Sequence, residues 1–133
     1  VVTLKRYYSL LEIKDFLLIA SAAPKCPKRP LTILYFYTAD CPDCDRQGEV
    51  LTYLRQHHPD ILRVYSFDYS LDVSALKTLA NIHKVKAPLP AIVFKDKTYS
   101  GFHSIEELEK LAPELTASST AKAATTSAAT KLK

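Results

Sequence analysis

Two cysteines separated by two residues, in Cys41-Pro42-Asp43-Cys44, are the feature of this chain most able to do chemistry. At that spacing, on the first turn of a helix, both sulfurs fall on one side. There they can exchange between dithiol and disulfide, or share a metal ion. Exchange needs a thiolate that reaches a substrate sulfur and a second thiol close enough to finish the reaction. A zinc site would need two more ligands, for which Cys26 and a histidine such as His57 are candidates, although the spacing fits no standard finger. Cys26 alone reads as an incidental thiol, with a regulatory disulfide to the pair as the rarer case. Asp40, Asp43 and Asp45 crowd the motif. Three carboxylates disfavour a further negative charge on Cys41, which favours the disulfide and points to a reducing protein. The same acids also complement a helix N-terminus, which is reason enough for their presence.

Elements must hold these residues in place, and the sequence outlines them. Residues 9–22 read as a helix, followed by a linker that Pro24, Pro27 and Pro30 keep out of regular helix. Leu31 to Tyr37 is apolar nearly throughout and reads as a strand buried on both faces. A helix then runs from the cysteine motif to about His57. Pro42 suits its first position, and Cys44, Gln47, Leu51 and Leu54 share one face. His57 and His58 read as a solvated helix end. Ile61 to Phe67 is a second strand. Asp72 is a candidate cap for a helix carrying Val73, Leu76, Leu79 and Ala80 inward, with His83 as a further inner residue. Ala91 to Phe94 and Thr98 to Phe102 form a hairpin across Lys95-Asp96-Lys97. Ser104-Ile105-Glu106-Glu107 is a capping box for a last helix.

This order, with Cys-x-x-Cys where the first strand meets its helix, resembles the thioredoxin superfamily. Pro90, directly before the third strand, stands where that family has a cis-proline facing the cysteines. Gly101 matches a frequent glycine near the end of the last strand. The resemblance covers about residues 31–112. It implies an α/β thioredoxin-like fold, a central mixed four-stranded sheet flanked by helices, here with an extra N-terminal helix. It implies a redox-active Cys41–Cys44 disulfide and no other cofactor, with Cys41 as nucleophile, favoured by the helix N-terminus, and Cys44 as resolving thiol. Leu89 and cis Pro90 would bind an extended substrate segment beside Cys41. The implied function is reduction of protein or small disulfides, with an unidentified reductase recharging the pair. Pro42, Asp40, Asp43, Asp45 and Tyr35 would tune the site. There are departures. Thioredoxins usually carry Trp-Cys-Gly-Pro-Cys, the family's buried acid of the first strand is replaced by Tyr35, and the chain has no Trp. Tyr35 reads as a core residue with a bonded hydroxyl rather than a catalyst.

The 133 residues carry a net charge of +4, but not evenly. Residues 1–30 carry +4, residues 31–115 carry −3 and residues 116–133 carry +3. No basic stripe crosses the middle, and the aromatics show no basic interleaving, so nucleic acid is not an expected partner. Three segments are expected: an N-terminal helix and proline-rich linker (1–30), a thioredoxin-like domain (31–115) and a disordered tail of Ala, Ser, Thr and Lys (116–133). No apolar run nears the roughly 20 residues that span a bilayer. Membrane contact is expected only through an anchor upstream of Val1, and a cytoplasmic location is slightly favoured. An odd cysteine count argues against a disulfide-stapled scaffold. Besides the zinc site, the rival function is a binding module of the same fold that recruits a partner without turnover.

Overall fold

The computed structural model describes residues 2–22 and 31–115. The elements in order are α1 (Val2–Ala22), β1 (Leu31–Tyr37), α2 (Pro42–His57), β2 (Leu62–Asp68), α3 (Ser74–Ile82), β3 (Ala91–Phe94), β4 (Lys97–Ser100) and α4 (Ile105–Leu111). The expected tail and Cys26 lie outside the described residues. Among the described residues no helix is long and apolar enough to cross a membrane.

Four strands form one mixed sheet in the order β2-β1-β3-β4. β1 pairs parallel with β2 and antiparallel with β3, so Phe36 stands between Phe67 and Ala91. This central place explains the unbroken apolar run of β1. Its side chains alternate between two cores, and both are covered. Leu34 and Phe36 join Phe67, Leu76 and Ile13 beneath α1 and α3. Ile33 and Tyr35 join Leu51, Leu54, Ile92 and Leu108 beneath α2 and α4. The buried face of α2 holds Cys44, Gln47, Leu51 and Leu54, as its spacing requires.

The hairpin turn is tighter than expected. Lys95 and Asp96 both have positive φ, 51° and 63°, the conformation of a two-residue turn that matches strand twist. β4 therefore starts at Lys97 and stops at Ser100, before Gly101, whose φ of 84° suits glycine. At α4 the Ser104 hydroxyl accepts from the Glu107 backbone N–H at 3.2 Å, while the Glu107 carboxylate turns to His103.

Three local expectations fail. α1 begins at Val2 rather than residue 9, since no Gly or Pro interrupts the earlier residues and Lys5 anchors them through Asp68 at 3.2 Å. Asp72 caps nothing: Val73 is the N-cap of α3 with no side-chain bond, and Asp72 instead pairs with Lys77 at 2.6 Å. His58 is buried rather than solvated, because the chain folds back over it: the Ile61 and Leu62 N–H groups both donate to its carbonyl. His83 is half-buried beyond the end of α3 and accepts from the Thr98 hydroxyl through its own carbonyl.

Asp68 closes β2 and is only 6 % exposed. Burial alone would raise its pKa, yet the Ser70 hydroxyl and N–H and the Lys5 ammonium hold it below the ordinary 3.8. A carboxyl depressed in the folded state adds stability that is complete above its unfolded pKa and lost as pH falls through the folded value. Asp68→Asn is therefore expected to cost about 1–2 kcal/mol at neutral pH. Urea melts repeated from neutral pH down through the acid range should show that the gap between variant and wild type closes below the ordinary carboxylate pKa.

Candidate active site

β1 delivers the chain to the cysteine motif, and Asp40 turns it there with a left-handed φ of 54°, a conformation Asp tolerates better than most residues. Cys41 is the N-cap of α2, extended at φ −128° and ψ 95°. Its Sγ accepts from the Cys44 backbone N–H at 3.1 Å, satisfying one of the donors a helix start leaves open. Pro42 follows at the first helical position, where a missing N–H costs nothing. The two sulfurs are joined in a disulfide with the Cα atoms 5.1 Å apart. The pair is asymmetric: Cys44 is 1 % exposed, whereas Cys41 is only partly buried.

The Leu89–Pro90 peptide is cis. Cys41 Sγ lies 3.7 Å from the Leu89 carbonyl oxygen. In the disulfide that sulfur has no proton to give, so the approach is a van der Waals contact that becomes a hydrogen bond only to a reduced thiol. Strand pairing of β3 begins at Ala91, so the Leu89 backbone stands outside the ladder. Pro90 is buried, and its carbonyl accepts from the Gly101 N–H at 2.8 Å. The Ala87–Pro88 peptide is cis too, which the sequence does not announce.

Tyr35 lies beneath the second cysteine. Its hydroxyl donates to the Cys44 carbonyl oxygen, and its ring stacks on Tyr37 at 5.5 Å between centroids. Burial, with Asp45 and Tyr37 nearby, pushes its pKa up to about 12. At neutral pH it is a fixed donor, without a charge to offer and without a proton to lose.

No family model and no curated protein sequence matches the chain. Solved structures do. Chloroplastic thioredoxin z superposes with a TM-score of 0.57 at 18% identity, covering 77% of this chain and 89% of that one. Thioredoxin from Aeropyrum pernix gives 0.54 at 19% identity, over 77% and 82%. Thioredoxin-2, described as a component of malaria parasite protein secretion machinery, gives 0.53 at 23% identity, over 64% and 82%. The chain has a thioredoxin-like fold.

On this thioredoxin-like frame the acids are spread around the motif at the surface. Asp40, Asp43 and Asp45 are all exposed. Asp43 pairs with Arg46 at 3.3 Å, and the Arg46 guanidinium lies 4.2 Å over the Phe102 ring. The negative charge near Cys41 is thus partly offset by Arg46 and screened by solvent.

The structure adds a residue whose role the sequence does not disclose. Gln47, fully buried, donates through Nε2 to the His103 carbonyl at 3.1 Å and accepts through Oε1 from the His103 N–H at 2.7 Å. It ties the cysteine-bearing helix to the loop between β4 and α4. A polar residue on the inner face of α2 is the available signal in the sequence, but nothing there names a partner 56 positions away.

An open cleft of about 710 Å³ runs between α2 and the β1–β2 side of the sheet. It is lined by Tyr35, Tyr37, Cys44, Asp45 and Glu49 among others, and reaches the second cysteine but not the first. The zinc alternative loses one of its candidate ligands. Among the described residues no three His, Cys, Asp or Glu cluster to hold a metal. His57 ends α2, roughly 24 Å along the helix from Cys41, and its Nδ1 contacts the Tyr53 carbonyl. Cys26 lies outside the described residues.

Proposed function

We propose that this protein is a thiol–disulfide oxidoreductase that reduces protein disulfides through Cys41 and Cys44. The observation that carries the reading is the asymmetric pair at the start of α2, one sulfur reachable and one enclosed, beside an extended backbone segment at Leu89. Reduced Cys41, as thiolate, attacks one sulfur of a substrate disulfide. A Cys41–substrate disulfide forms, and the other substrate sulfur leaves as a thiolate and takes a proton. Cys44 loses its proton and attacks Cys41 Sγ. The second substrate sulfur departs, and two electrons have passed from the pair to the substrate. The Leu89 backbone would hold the substrate as an added strand. A dithiol reductase would return two electrons to the Cys41–Cys44 disulfide.

The helix N-terminus and the Cys44 N–H, aimed at Cys41 Sγ, favour its thiolate, while the nearby carboxylates oppose it. The test is insulin reduction driven by dithiothreitol. Wild type should precipitate insulin well ahead of the uncatalysed control, and Cys41→Ser should fall back to it. Equal rates would leave a binding module of the same fold. The acids make a second expectation. The reduction potential should lie on the reducing side, nearer the roughly −270 mV of thioredoxins than the roughly −120 mV of strong oxidants. Equilibration against glutathione or dithiothreitol buffers measures it, and a value near the oxidant end would sink this part of the reading.

A further inference from the structure

The two sides of α1 are unlike each other in what they touch and alike in being apolar. One side rests on the sheet and α3 through Ser9, Ile13 and Phe16. The other carries Leu4, Tyr7, Leu11 and Leu18, from 44% to 62% exposed, with exposed Lys14 between the last two. Positions 4, 7, 11, 14 and 18 follow the alternating three-and-four spacing with which one helix meets another. Leu10 and Leu17 flank this seam on one border, and Tyr8 and Asp15 on the other. With Tyr8, Leu10 and Leu17 included, the exposed area is on the order of 700 Å², close to the ~800 Å² that each partner gives a standard interface and above the largest patch of an ordinary monomer.

We infer that α1 is a dimerisation surface on which a second copy of this chain docks its own α1, antiparallel, about a two-fold axis. The charge pattern decides both the occupant and the direction. Antiparallel self-pairing has a register that sets Tyr7 beside Leu18 of the second copy, Leu10 beside Leu17, and Leu11 beside the aliphatic stem of Lys14. The same register sets the Tyr8 hydroxyl beside the Asp15 carboxylate, an acceptor with two oxygens of which one already bonds Tyr65. Each contact then occurs twice, as a two-fold interface requires. Parallel pairing would instead face Lys14 with Lys14 inside the seam. A lipid surface would have to cover Lys14 within the seam and Asp15 on its border. The inference is independent of the redox chemistry proposed above.

Sedimentation equilibrium of the full chain, from micromolar to sub-millimolar concentration, tests it. Wild type should dimerise. Leu11→Lys should raise the dissociation constant by about 100-fold, since it removes a central apolar contact and sets a second ammonium against Lys14 of the other copy, twice over. Its circular dichroism should be unchanged, because Leu11 does not enter the core. Tyr8→Lys should still dimerise, since antiparallel pairing puts the new lysine beside Asp15. A wild type monomeric throughout overturns the inference, as does a dimer indifferent to Leu11→Lys. Loss of the dimer in Tyr8→Lys overturns the antiparallel arrangement. A monomer that co-sediments with phosphatidylserine vesicles assigns the band to lipid instead.

Discussion

Cys44→Ala should attack its substrate and then fail to release it. The half-buried Cys41 keeps its place at the head of α2, its carbonyl still accepting the first helical bond from Asp45 at 3.1 Å. What disappears is the internal sulfur that, in the proposed reaction, resolves the adduct. A neighbouring thiol in position is worth many molar of free thiol, so turnover should fall by at least about 10³-fold while the first chemical step survives. Mass spectrometry under non-reducing conditions should find the substrate bound one-to-one through Cys41, and dithiothreitol should strip it off. Adducts at Cys26, or none at all, would defeat the assignment of roles. The doubly substituted chain, lacking both Cys41 and Cys44, is the control that separates this capture from simple adhesion of the substrate.

Phe36→Ala should be the most damaging single change to the fold. Phe36 is wholly buried near the end of β1, with the Phe67 ring 5.5 Å away and Ala91 opposite on the other neighbouring strand. Emptying that place costs about 3–5 kcal/mol, from a total that for domains of this kind is about 5–15 kcal/mol. Urea unfolding should show the midpoint falling at nearly constant slope. Ile82→Ala, on a side chain 67 % exposed at the end of α3, should move it hardly at all. Because β1 also presents the cysteine motif, the variant should lose activity with temperature in step with its unfolding and not before.

What could be read in advance was whatever the chain encodes locally. The apolar run of β1, the proline after Cys41, the shared face of Cys44, Leu51 and Leu54, and the serine ahead of α4 each state their structure within a few residues. Pro90 was legible only through the family resemblance, which places a cis-proline before the third strand, and the Leu89–Pro90 peptide is cis. What escaped was set by contacts between distant segments. The first turns of α1 are held by Lys5 on Asp68, 63 residues away. Asp72 had a helix start to cap and a lysine five residues on, and the ion pair won. His58 looked like a surface residue until the chain returned over it at Ile61 and Leu62. Gln47 looked like a polar intruder in a core face until both ends of its amide found one backbone, at His103.

Glu12 sits among the contacts α1 makes with β2, and it has a bearing on how the molecule keeps to itself. Its carboxylate accepts from the Ser66 N–H at 3.3 Å, on a marginal strand of the sheet. An intruding chain that tried to extend the sheet on that flank would first have to evict the glutamate and then part the Tyr65 hydroxyl from Asp15. The opposite flank is β4, four residues long and opened by Lys97, too brief and too charged to serve as a template for runaway stacking. The N-terminal helix thus occupies backbone that an added strand would need on that flank.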